Sequence, residues 1–192
     1  IVTLGMMMIA RGAALLLTQS QTVFGLPQSI KYLGGTARMG DGVTWWIPVI
    51  IFAITAVVFV VLLSFTRFGR ALYATGGNRE GARLSGISTD WVRTGAFAIS
   101  GLMAGLGGVL IMAKVSVADP KAAEMLELDA IAACVIGGTS LMGGEGNPLG
   151  AVAGALIMNV LVNFCNLMNV SPNWQRILVG GLIIVLVFYD NF

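Results

Sequence analysis

Apolar residues in this chain fall into long runs separated by short polar stretches. "TWWIPVIIFAITAVVFVVLLSF" (44–65), "TGAFAISGLMAGLGGVLIMA" (94–113) and "PLGAVAGALIMNVLVNFCNLM" (148–168) each reach the roughly 20 residues that a helix needs to cross a bilayer. Trp45 and Trp46 mark one end of the first run as interfacial anchors. "ILVGGLIIVLVFY" (177–189) is shorter and spans with its flanks, and "IVTLGMMMIARGAALLLT" (1–18) reads as a truncated span carrying Arg11. The run "AIAACVIGGTSLM" (130–142) differs, because as a helix it would reach only about 20 Å, against a hydrocarbon core of about 30 Å. Gly137 and Gly138 sit in its middle, which predicts a broken or re-entrant element buried in protein or lining a wet cavity. "LMGGEGNPLG" follows as a glycine-rich turn, with Pro148 opening the next helix. The pattern predicts an all-α fold: one transmembrane domain over residues 1–192, a polytopic helix bundle with one short broken helix. Because the chain begins within an apolar run at Ile1, it is expected to be a fragment without its amino-terminal helices.

Composition agrees. Hydrophobic residues make up 57% and charged residues 10% of the 192 positions, whereas soluble domains carry about 25% charge. A net charge of +2 is too small and too dispersed for nucleic-acid binding. There is no histidine, which removes Ser-His and Cys-His dyads and histidine metal ligands. No enzyme activity, cofactor or metal is expected. Cys134 and Cys165 lie in apolar runs and are expected to be small buried packing residues. "GGTSLMGGEG" lacks the lysine of a phosphate-binding GxxxxGK[ST] loop, so any ATP would be bound by another chain. The small-residue pairs Gly101/Gly105, Ala104/Gly108 and Gly150/Gly154 predict close helix packing within the bundle.

Charge concentrates in one place. Segment 66–93 holds Arg67, Arg70, Arg79, Arg83 and Arg93, five of the eleven basic residues, so the positive-inside rule puts it in the cytoplasm. Within it, "GGNREGARLSGI" predicts a short helix with Asn78 as N-cap, Glu80 in the first turn and Gly86 as a left-handed stop. Arg79 and Arg83 share a face at a spacing of four, beside Ala82 and Leu84. So short a helix needs something to pack on. The end of its own bundle, a partner protein and anionic lipid all fit the residues. Elsewhere, Glu124, Glu127 and Asp129 precede the short apolar run, with Asp129 expected to cap it. Asn159, Asn163 and Asn166 fall on one helix face, where they either line a hydrophilic path or bond neighbouring helices. Arg11, near the end of its span, suits snorkelling, pairing to carbonyls or a functional role.

"FGRALYATGGNREGARLSGI" (68–87), "ELDAIAACVIGGTSLMGGEG" (127–146) and "SPNWQRILVGGLIIVLVFYDN" (171–191) together resemble the permease subunits of ATP-binding-cassette sugar importers, the ribose, xylose and galactose branch. The resemblance extends weakly to "TLGMMMIARG" (3–12) and is weakest over 19–44. It implies that the 76–87 loop carries a cytoplasmic coupling helix that docks on an ATPase, with Gly76, Gly77, Asn78, Ala82, Arg83, Leu84, Ser85 and Gly86 matching the pattern and Arg79 beside them. Gly81 departs from it, since the family usually has alanine there. The implied partners are an ATP-binding subunit, an external sugar-binding protein and a second permease subunit, in a homodimer or heterodimer, in the bacterial inner (plasma) membrane. The substrate class implied is a monosaccharide or related polyol. The alternative is a passive channel or secondary transporter for small polar solutes; "GNPLG" is similar to the Asn-Pro turns of water and glycerol channels, but a second such turn is lacking.

Overall fold

A computed structural model describes residues 2–35, 38–39, 42–43 and 46–190, with the side chains of 38, 39, 42, 43, 183, 186, 187, 189 and 190 set aside. Trp45 therefore lies outside the described residues, while its neighbour Trp46 is exposed. Nine helices are present among them: α1 (Val2–Leu17), α2 (Gln28–Leu33), α3 (Ile47–Phe65), α4 (Arg67–Gly77), α5 (Arg79–Leu84), α6 (Thr89–Val115), α7 (Leu126–Ile136), α8 (Pro148–Leu167) and α9 (Pro172–Asp190). A two-residue antiparallel ladder, β1 (Arg38–Met39) with β2 (Gly42–Val43), interrupts an otherwise helical chain. Among the described residues, three helices are long and apolar enough to cross a membrane: α3, α6 and α8. The apolar α1 is shorter, at 16 residues. At 19 residues, α9 extends the short 177–189 run in both directions, so its reach is about 28 Å.

The chain forms two compact units, one of Ile1–Ala53 with Ile99–Glu124 and the other of Ile54–Ala98 with Met125–Phe192. In the first, Gly34 sits against the backbone of Ala113, where a Cβ would strike the Ala113 carbonyl. Val23 and Ala118 exchange backbone hydrogen bonds of 2.9 and 3.0 Å, closing the same region. In the second, Ala132, Ala133, Met158 and Val179 form a buried cluster flanked by Ile136 and Ala155. It is a core of small residues, as close-packed membrane helices require.

Glycine sets how closely α7 meets α8. A Cβ on Gly150 would collide with the Gly137 carbonyl, and one on Gly154 with the Ala133 carbonyl. The expected packing role of Gly150 and Gly154 is thus met by α7. At Gly101, Gly105 and Gly108 an added Cβ would find nothing among the described residues within 4 Å, so no close backbone approach is made at these three glycines.

Two readings of the short run need correction. The helix begins earlier than Ala130, at Leu126, and Asp129 does not cap it: the cap position is Met125 at φ 69°, without a side-chain hydrogen bond. Glu127 and Asp129 lie inside the first turn, where a carboxylate still favours the helix dipole. The helix stops at Gly137, and Gly138 turns left-handed at φ 80°. At 11 residues α7 reaches about 16 Å and does not span. The second correction concerns Cys134, which is exposed on α7 while Cys165 is buried as expected. The reason is position: Ala132, Ala133 and Val135 take the buried places on α7.

The α7–α8 crossing predicts a sharp contrast between glycines. Gly154→Ala should cost about 1–3 kcal/mol through overpacking, because the Ala133 carbonyl cannot yield as a side chain would. Gly181→Ala, with open space around it, should be neutral or stabilising by up to about 1 kcal/mol from helix propensity. Thermal unfolding of the two variants in detergent measures the difference.

Candidate functional site

The polar segment after α3 folds into two short helices set end to end. A single residue, Thr66, separates α3 from α4. Its hydroxyl donates to the Leu62 carbonyl at 2.6 Å and accepts from the Gly69 N–H at 3.2 Å, which caps α4. Gly69 is buried, and a Cβ there would strike the Leu63 carbonyl, so glycine lets α4 fold back on the last turn of α3. Further along, the Phe68 ring lies over Gly95, with a Cβ at Gly95 only 3.0 Å from its edge. Nothing in the sequence reading anticipated α4 as a helix. Its signal was present in the Thr66 cap and the alternation of Arg67 and Arg70 with Phe68 and Leu72, but it was masked by the glycines at its end.

Asn78 serves both helices. Its N–H donates to the Ala74 carbonyl at 3.1 Å, ending α4, and its side-chain oxygen accepts from the Gly81 N–H at 2.9 Å, starting α5. The far end closes as a Schellman motif: Gly86 at φ 83° donates to Arg83, and Ile87 to Ala82, at 3.1 and 3.0 Å. Both ends therefore lie where the sequence marks them. Gly81 has a local reason too. A Cβ there would come within 3.2 Å of the Asn78 side-chain carbon, so alanine would press on the cap.

The outward face of α5 is narrower than its sequence suggests. Ala82 is 6% exposed and turns inward, whereas Leu84 is 85% exposed and Arg83 is also exposed. Arg79 is engaged within the chain, donating to Asp90 at 2.8 Å with the two side chains 55% and 82% exposed. A pair so exposed contributes at most about 1 kcal/mol; what it supplies is an orientation of α5 relative to the start of α6. Asp90 was missed by sequence reasoning, since nothing local ties it to a residue eleven positions earlier. Arg83 and Leu84 remain as a charged and an apolar group presented together.

Gly76 and Gly77 do not belong to that face. They meet the turn between α7 and α8, where Gly143 and Gly144 both have positive φ. The Tyr73 hydroxyl donates to the Gly146 carbonyl of the same turn at 3.0 Å. Asn147 then caps α8, its side-chain oxygen accepting from the Leu149 N–H at 3.0 Å, with Pro148 in the first position as expected.

The asparagine stripe of α8 divides. Asn159 lines a cleft of ≈ 320 Å³ with Leu126, Asp129, Ala133, Ala155 and Met158. Asn163 is exposed. Asn166 accepts from the Gln175 side chain at 2.8 Å, bonding α8 to α9. Among the described residues no cluster of acidic or cysteine side chains gathers to hold a metal ion.

Comparison with known proteins bears on what this arrangement serves. Residues 1–187 match the family described as branched-chain amino acid transport system / permease component. The xylose transport system permease protein XylH of Escherichia coli is 43% identical over 144 residues, covering 75% of this chain and 37% of that protein. The ribose import permease protein RbsC of Haemophilus influenzae is 43% identical over 159 residues, covering 81% and 49%. The autoinducer 2 import system permease protein LsrC of Escherichia coli is 37% identical over 191 residues, covering 100% and 55%. The chain thus spans between about a third and about half of these relatives' length. No solved structure matches it. The family is one of transport permeases and not of enzymes. With a match along nearly its whole length and three helices fit to span a bilayer, the chain belongs to this permease family and is a multi-pass membrane protein.

Proposed function

We propose that this chain is part of the membrane-spanning permease subunit of an ATP-driven importer for a monosaccharide or related polyol, coupled to a separate ATPase through residues 76–87. The observation that carries the reading is the doubly capped helix α5, which presents Arg83 and Leu84 outward beside an exposed Glu80, while Ala82 is buried and Arg79 is engaged by Asp90. A six-residue helix has little stability alone, yet this one is capped at both ends and tied to α6 by Arg79–Asp90. That is the construction of a rigid peg. The names of the relatives, which concern xylose, ribose and autoinducer 2, support an import permease and a small polyhydroxylated substrate.

On this reading, the guanidinium of Arg83 pairs with acidic groups of the ATPase and Leu84 enters an apolar depression beside them. Nucleotide binding moves the permease only as far as these contacts differ in strength between the two states of the complex. Asn159 and Asp129, the polar groups of the cleft between α7 and α8, face the hydroxyl-bearing substrate. The complete machine comprises the ATP-binding subunit, an external sugar-binding protein and a second permease subunit, in the bacterial plasma membrane with α5 on the cytoplasmic side.

Affinity purification of the chain from its native membrane is expected to recover an ATPase. Arg83→Ala with Leu84→Ala should lower uptake of D-xylose or D-ribose at least about tenfold, the consequence of losing about 1.4 kcal/mol of coupling, with membrane levels unchanged. Nucleotide-independent uptake insensitive to both substitutions would favour a passive channel and remove the proposal. Asn78→Ala should cost about 1 kcal/mol of helix stability and reduce uptake by a smaller factor, read in the same assay.

A further inference from the structure

We infer that the 143–146 turn is the positioning contact that passes movement of the α4–α5 unit to the α7–α8 hairpin, with Tyr73 and Gly76 as the residues that transmit it. The inference rests on the importer reading above and assigns a route within it.

The contact is backbone on backbone. A Cβ on Gly76 would lie 2.6 Å from the Gly144 nitrogen, one on Gly144 would lie 2.6 Å from the Gly77 Cα, and one on Gly143 would lie 2.8 Å from the Gly76 carbonyl oxygen. No side chain stands between the segments to absorb a displacement by changing rotamer. Gly143 and Gly144 reach this approach at φ 91° and 81°, a conformation that other residues adopt with strain. The Tyr73 hydroxyl, one helical turn back from Gly76, fastens the same turn through the Gly146 carbonyl. Two different chemistries, contact and hydrogen bond, therefore join segments 73 positions apart in sequence.

Each side of the contact is itself stiff. On one side α4 ends at Asn78, which also caps α5, so any tilt of α5 reaches Gly76 through a single shared residue. On the other, the turn is bonded across itself, with the Ser140 N–H donating to the Glu145 carbonyl at 3.1 Å and the Met142 N–H to the Ser140 hydroxyl at 3.2 Å. Its two helices are locked at Gly137–Gly150 and Gly154–Ala133. The hairpin has little freedom but to move as one body, and that body lines the cleft that holds Asp129 and Asn159. Close-packed contacts of this kind shift between discrete arrangements instead of deforming.

Gly77 supplies an internal contrast. A Cβ there meets the Gly144 Cα at 3.7 Å, ordinary van der Waals contact, whereas one on Gly76 cannot be accommodated without movement.

The test is amide hydrogen exchange of residues 139–147 in the permease assembled with its ATPase, with and without a non-hydrolysable ATP analogue. Without nucleotide, exchange of the turn should rise in Gly76→Ala and stay at the parent level in Gly77→Ala. On adding nucleotide it should change in the parent and in the Gly181→Ala control, change less in Tyr73→Phe, and fail to change in Gly76→Ala. Uptake of D-xylose or D-ribose per ATP hydrolysed should fall at least about fivefold in Gly76→Ala and Tyr73→Phe, with the ATPase still co-purifying. If Gly76→Ala does not fold, Tyr73→Phe, which removes one hydrogen bond and adds nothing, decides alone. A parent turn indifferent to nucleotide, or variants that respond as the parent does, would overturn this route and leave the ATPase-docking reading standing. Failure of the ATPase to bind the parent at all would remove both.

Discussion

Direct approach of main chain to main chain, made possible where a side chain is missing, recurs at three junctions of the larger compact unit. Gly69 admits α4 to the end of α3, Gly76 and Gly144 bring α4 to the α7–α8 turn, and Gly137, Gly150 and Gly154 set the α7–α8 crossing. In a bilayer, apolar burial offers helices little reason to associate, so van der Waals fit and hydrogen bonding must do it. The buried cluster beside these junctions is accordingly built of alanines and one methionine with Val179, and among the described residues no large side chain is fully buried. Geometry takes the place that a bulky hydrophobic core holds in a soluble domain.

The second requirement is that irregular backbone near the membrane satisfy its own polar groups. Segment 66–90 meets it by local means. Thr66, Asn78, Gly86 and the Ser85 hydroxyl, which donates to the Gly81 carbonyl at 2.9 Å, between them close both ends of α5 and the start of α4. Because these bonds are short in range, they do not depend on any other part of the chain. That independence lets the segment hold its shape by its own bonds.

Local chemistry was readable from the sequence, and contact across distance was not. Asn78, Gly86 and Pro148 announce their roles through capping and left-handed turns, which depend on three or four neighbouring residues. The apolar runs placed α3, α6 and α8 to within a turn or so, α6 being longer because Thr89 to Arg93 add a polar first turn to the apolar stretch. Asp129 misled because an acidic residue ahead of an apolar run suits either a cap or a first turn. The helix begins three residues before Asp129, at Leu126. Arg79–Asp90, Tyr73–Gly146 and Gly76–Gly144 lie in three-dimensional proximity with no periodic or motif signature, so a single sequence cannot reveal them. The inward turn of Ala82 and the outward turn of Cys134 belong to the same class, since each depends on which face a neighbour covers.

The junction at Thr66 has a geometric corollary. Only one residue separates α3 from α4, and α3 has none of its own side chains buried. The helical phase of the last turn of α3 therefore sets the direction in which α4 leaves it. Since each residue of helix advances the bearing by about 100°, adding or removing a single residue in that last turn would swing the start of α4 by the same angle.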